Sequence, residues 1–278
     1  ISSQVRALTT AEVAALTTTQ VSALTSTQIA SLETADMVAM TTDQVGALNT
    51  TQVAALTVGM VTALSTDQVG ALGTTNVSAL TDTQIRALTT ASVNALSTGQ
   101  VQVLTTSQIR ALTASGVGAL STDQVGALGT DQVRALTTDN IVALSTAQVA
   151  ALSTSQLEAL TTVQVAAIAT DDIQAISTSS ISALTTSQVQ ALTTAAVNAL
   201  LTDQVAALST TQVVALTTSR VAALSTAQVV SLTTAQVQVL SVSQLTAMSE
   251  AQVRALSTTQ IAALTNDQLL GLVTQARS

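Results

Sequence analysis

Apolar and polar positions repeat along this chain every eight residues. Cut after each eighth residue, the sequence reads ISSQVRAL, TTAEVAAL, TTTQVSAL, TSTQIASL and so on to TNDQLLGL at 265–272. This gives 34 octads over residues 1–272 without an insertion or deletion, and the partial repeat VTQARS at 273–278. With positions lettered a to h, the consensus is [ST]-T-x-Q-[VI]-x-A-L. One octad, STDQVGAL, occurs letter for letter at 65–72 and again at 121–128.

A strict period of eight does not suit one continuous α-helix. At roughly 100° per residue, the apolar stripe would drift about 80° with every repeat and wind around the rod. The chain must therefore change direction once per octad. Positions a and d supply the break: Ser or Thr followed three residues later by Gln is the capping-box pattern, as in Ser65 with Gln68 and Ser121 with Gln124. Position a reads as the N-cap and b to h as a helix of under two turns, too short to stand alone.

Charge placement supports short helices independently, because the helix macrodipole favours acids in the first turn and bases in the last. Position c holds Asp43, Asp67, Asp123, Asp131, Asp139, Asp171, Asp203 and Asp267. Position f, nearer the helix end, holds Arg6, Arg86, Arg110, Arg134 and Arg254, five of the seven arginines; Arg220, at d, is the exception within the array. On a helical wheel the variable positions b, c and f share one face. Val or Ile at e and Leu at h point to the core, and Ala at g permits close helix approach. The predicted fold is an all-α solenoid of very short capped helices, one per octad. A β-solenoid is the alternative, disfavoured by abundant Leu, Ala and Gln, by the lack of sustained alternation and by ten glycines with no fixed turn position.

Composition narrows the function classes. The chain has no Phe, Trp, Tyr, His, Lys, Cys or Pro, so its core must be thin layers of Val, Ile, Leu and Ala. Burying one Val and one Leu gains about 3–6 kcal/mol, whereas ordering eight residues costs about 1–2 kcal/mol each, so an octad is stable only when stacked on both sides. Thiolate and imidazole chemistry are unavailable, and no enzyme is expected. A net charge of −8 argues against nucleic acid as a partner. Ser, Thr or Gln interrupts every apolar run well before the roughly 20 residues of a membrane span. No signal peptide opens the chain, and Ile1 falls inside the repeat pattern, as expected of a processed or partial chain.

Candidate chemistry is sparse. Asp123, Asp131 and Asp139 recur at one position in three consecutive octads and raise a calcium site, against the simpler reading of first-turn acids on a solvated face. Asp171 and Asp172 are adjacent but point to different faces, so they form no catalytic pair. Gln at d, present in 23 octads, either closes each cap or also forms a hydrogen-bonded ladder along the stack. The Ser/Thr pair at a and b makes a regular hydroxyl array. Departures from the consensus are densest over 161–200, where Ile168 and Ile176 replace Leu and Asp172, Ser180 and Ala196 replace Gln; drift accounts for them. No catalytic, cofactor-binding or metal residue is predicted, and no cofactor.

At the level of the motif, ALTTxQVxALSTxQV resembles the octapeptide arrays of very large bacterial cell-surface or secreted proteins, often labelled haem-utilisation or adhesion proteins. The resemblance covers essentially the whole chain. It implies an extracellular or cell-surface location and a structural or adhesive role. It carries no haem site here: His and Cys are missing, Met37, Met40 and Met248 fall at e and h, and Met60 replaces a Gln at d, so all four read as packing residues. The expected function is a structural filament, fibre or surface stalk built by end-on or lateral self-association. The alternative is an adhesive module whose Ser/Thr-rich face binds glycan, a cell surface or ice. Ile1 at an N-cap position and Leu269, Leu270 and Leu272 at the other end do not resemble polar caps, which favours polymerisation or continuation. Coils of two or three octads at helix-packing spacing would make a rod of roughly 90–170 Å.

Overall fold

The structure, a computed structural model, describes residues 2–275, and among them every octad forms one helix. Through Thr258–Ala262 these helices are four to six residues long; the last, Asn266–Gln275, has ten. No strand occurs among the described residues, which removes the β-solenoid alternative. Ile1, with the N-cap role expected of it, lies outside them.

The octad at 65–72 shows how eight residues make one unit. Ser65 is extended, with φ −68° and ψ 162°, and its Oγ accepts from the Gln68 backbone N–H at 3.1 Å. Gln68 Oε1 accepts in return from the Ser65 N–H at 2.9 Å, closing the capping box. Thr66–Ala71 is helical, and Leu72 returns to extended backbone at φ −63°, ψ 126°, its N–H donating to Val69 O at 3.2 Å. Six helical residues and two extended ones thus turn the chain once per octad. No described residue has positive φ and no peptide is cis. The bend is made entirely in backbone regions open to any L-residue, so it needs neither Gly nor Pro.

The chain forms two compact units, Ile1–Leu144 and Ser145–Ser278, of the same construction. In the first unit, Thr42–Gly46 packs on Thr66–Ala71 and Asp82–Ala87 on Thr106–Ala111; in the second, Thr202–Ala207 packs on Thr226–Ser231. Each pair is separated by three octads. Hydrogen bonds from position d reach further, 28 to 31 residues back into the fourth preceding octad. A coil therefore holds between three and four octads, a number the sequence does not give and above the two or three assumed for the rod length. Each helix stacks on the helix three octads away, and its d side chain reaches the end of the octad before that one.

Burial follows the wheel. Val69 and Leu72 are buried, as are their counterparts at e and h in nearly every octad, and Met37, Met40, Met60 and Met248 pack among them. Ile168 and Ile176 fill the Leu position without altering the plan. Position f faces outward but lies against the g carbonyl of the next coil: Asn94 Nδ2 donates to Ala119 O at 2.9 Å. A Cβ on Gly118 would come within 3.0 Å of Ala143 O, which accounts for glycine there, whereas one on Gly70 would meet nothing nearer than Ala95 O at 4.0 Å.

This layering sets a contrast within a single octad. Leu72→Asp should destabilise by more than about 4 kcal/mol, because it places an unpaired charge between coils. Gly70→Ser should change stability by less than about 0.5 kcal/mol. Urea denaturation of both variants checks the pair, and equal costs would refute the assignment of buried and exposed positions.

Candidate functional site: the glutamine row

Position d carries the most consequential side chain. Gln84 is 2% exposed and uses both ends of its amide. Its Oε1 accepts from the Thr81 N–H at 2.7 Å, capping its own helix. Its Nε2 donates to Val53 O at 2.9 Å and Leu56 O at 2.8 Å, carbonyls at positions e and h four octads earlier. A helix of six residues leaves most of its carbonyls without intrahelical partners, and stacking buries them. The amide of the next coil supplies a donor to the h carbonyl and a second donor to the e carbonyl, which also accepts from the h N–H of its own octad. Gln44, Gln52, Gln68, Gln100, Gln108, Gln124 and Gln132 repeat the arrangement in the first unit. Gln188, Gln204, Gln212, Gln228, Gln236, Gln244, Gln252 and Gln260 do so in the second. Of the two readings open for this row, capping and a ladder, both operate in one side chain. The rungs join amide to backbone rather than Gln to Gln.

Substitutions at d sort by this geometry. Asn76 and Asn140 keep the bond to the h carbonyl, to Leu48 O at 2.6 Å and Leu112 O at 3.2 Å. Arg220, out of place by the helix-dipole rule, donates from Nε to Leu192 O at 2.6 Å and so holds the same acceptor. Gln20, Glu12 and the half-exposed Gln28 sit in the first coil, where only capping remains. Glu12 accepts from the Thr9 N–H at 2.9 Å, and hydrogen bonds from the Thr9 backbone and hydroxyl hold its carboxyl below the ordinary range. Glu occurs at d in that octad alone.

The other candidates stay apart. Asp123, Asp131 and Asp139 are exposed at the starts of three successive helices that follow one another around a coil, and no group of three acidic residues that could hold a metal occurs among the described residues. Asp171 is exposed while Asp172 is buried and accepts from Thr146 Oγ1 at 2.7 Å, so the neighbours do face apart. Ser180 and Ala196 take buried d positions inside regular helices. Threonines at b, such as Thr66, Thr74 and Thr122, lie at the exposed surface. Two shallow, open depressions are lined by Thr210, Thr211, Val214 and Val239, and by Asn266, Leu269, Leu270 and Val273. Neither brings titratable groups together.

The family comparison matches this organisation. The sequence model of the ALTTAQ repeat matches residues 2–34, 29–66, 82–114, 106–138, 127–162, 138–170, 165–202, 189–218 and 242–274. The chain belongs to the ALTTAQ repeat family. Most matches span about four octads, the distance over which one Gln reaches its acceptors. No curated protein matches the chain.

Two expectations follow for position d. Gln84→Glu preserves the cap but sets a buried carboxylate against two carbonyl oxygens, and should cost about 3–5 kcal/mol. The same change at exposed Gln20 should cost less than about 0.5 kcal/mol; chemical denaturation of both variants measures the difference. Conversely, Ala196→Gln restores an amide opposite the carbonyls of Val165 and Ile168 and should stabilise by about 1 kcal/mol, read as a higher denaturation midpoint.

Proposed function

We propose that this ALTTAQ repeat chain is a structural element of an extracellular fibre or surface stalk, which works by length and self-association and is not an enzyme. The observation that carries this reading is the glutamine row, present in 23 of the 34 octads. The same amide-to-carbonyl bond recurs from coil to coil, so the interaction that holds one coil is also the interaction that adds another. Along the array no position is set aside for chemistry, and the exposed positions b, c and f vary freely while substitutions at a and d leave the helix of their octad in place. A further coil carrying glutamine at d would be held on such a row by the same bonds. No helix among the described residues is long and apolar enough to cross a membrane. The resemblance to bacterial surface and secreted arrays supports the location.

The experiment is to concentrate the purified chain and image it by negative stain. Rods joined end to end, or laterally bundled filaments, are expected. A monomer that stays single at every concentration and instead binds a glycan or ice through its threonine face would overturn the reading in favour of an adhesive module.

A further inference from the structure

Three of the arginines in this acidic chain fall in one column. Arg86, Arg110 and Arg134 occupy position f of the helices Asp82–Ala87, Thr106–Ala111 and Thr130–Ala135, each three octads from the next. These helices pack on one another in succession in three consecutive coils of the first unit. All three side chains are exposed. At ordinary helix-packing distances the rungs lie about 8–10 Å apart.

The same helices carry a second column at b and c: Asp82, Ser107 and Asp131. Ser107 Oγ donates to the Asp82 carboxylate across the coil boundary, which fixes the first two rungs side by side. Positions b and c precede f by four and three residues, so the columns are offset by roughly 4–6 Å along the helix axis. Within one helix the b-to-f spacing can be closed, as Arg254 does with Glu250 at 2.5 Å. Asp82 has the same spacing to Arg86 but is directed instead to Ser107. The face therefore presents a positive and a negative column running parallel.

We propose that this face docks laterally on the same face of a second copy of the chain, about a two-fold axis parallel to the stack. Rotation about that axis exchanges left and right while keeping the stacking direction. Each arginine column then meets the partner's acidic column rung by rung, with Arg110 opposite Ser107. A two-fold axis across the stack would set arginine against arginine. The contact is isologous and self-complementary. Charge selects a second copy over a polyanion: three arginines against two aspartates leave this face only slightly positive, and the chain as a whole carries −8, so a nucleic acid or acidic polysaccharide would be repelled where a second copy supplies both signs. The inference rests on the reading of the chain as self-associating.

Sedimentation of the full chain at low and at high salt tests it, with circular dichroism to verify that variants remain folded. Wild type should associate at low salt and dissociate at high salt, as exposed ion pairs require. The variants Arg86→Glu/Arg110→Glu/Arg134→Glu and Asp82→Arg/Asp131→Arg should each associate more than about tenfold more weakly than wild type, yet pair with one another when mixed at low salt. Variants that self-associate like wild type, or that fail to pair when mixed, would overturn this docking face while leaving self-association intact. A wild type that sediments as a monomer at every concentration and salt would overturn the self-association reading and this inference with it.

Discussion

The constraint behind this structure is the fate of backbone carbonyls in helices of under two turns. The last four carbonyls of any helix lack intrahelical partners, and in a six-residue helix that is most of them. Stacking on both sides removes water from these groups, and an unpartnered buried carbonyl costs on the order of 1–3 kcal/mol. The glutamine row resolves this by giving one amide two duties, the Oε1 to its own cap and the Nε2 to the helix four octads back. Solenoid closure, octad length and position d are therefore one requirement. Among the described residues no buried side-chain N or O atom lacks a partner.

The bond's placement also accounts for tolerance. Met60, Gly116 and Ala196 lack any donor at d, yet their octads keep the same helix and the Thr N-cap. Energy in a repeat array adds through neighbouring interfaces, so a missing rung is carried by those on either side. Caps are similarly redundant: Gly129 and Leu201 offer no hydroxyl, but their N–H groups still donate to Gln132 and Gln204 at 2.8 Å. The glutamine half of the box persists where the Ser/Thr half does not.

Much of the fold was legible in the sequence because it is local. The octad frame, the cap at a and the burial of e and h follow from spacing within eight residues. The coil size was not legible, since it depends on how the residues between helices orient successive helices. The second duty of Gln was only half visible for the same reason: its acceptors lie 28 and 31 residues away, as for Gln84. Arg220 shows the difference. Judged by helix polarity it was an exception, and only the register of the preceding coil reveals that its Nε replaces the glutamine amide. The column of Arg86, Arg110 and Arg134 was likewise invisible until three octads proved to separate stacked helices.

The most direct test of the account is hydrogen exchange at the glutamine side-chain amides, resolved by NMR. Coil-to-coil bonding predicts strong protection of the Nε2 protons of interior glutamines such as Gln84, Gln108 and Gln212, and rapid exchange at Gln20. Uniformly rapid exchange across the row, with backbone amides still protected, would show that the coils are held by apolar packing alone and contradict the account.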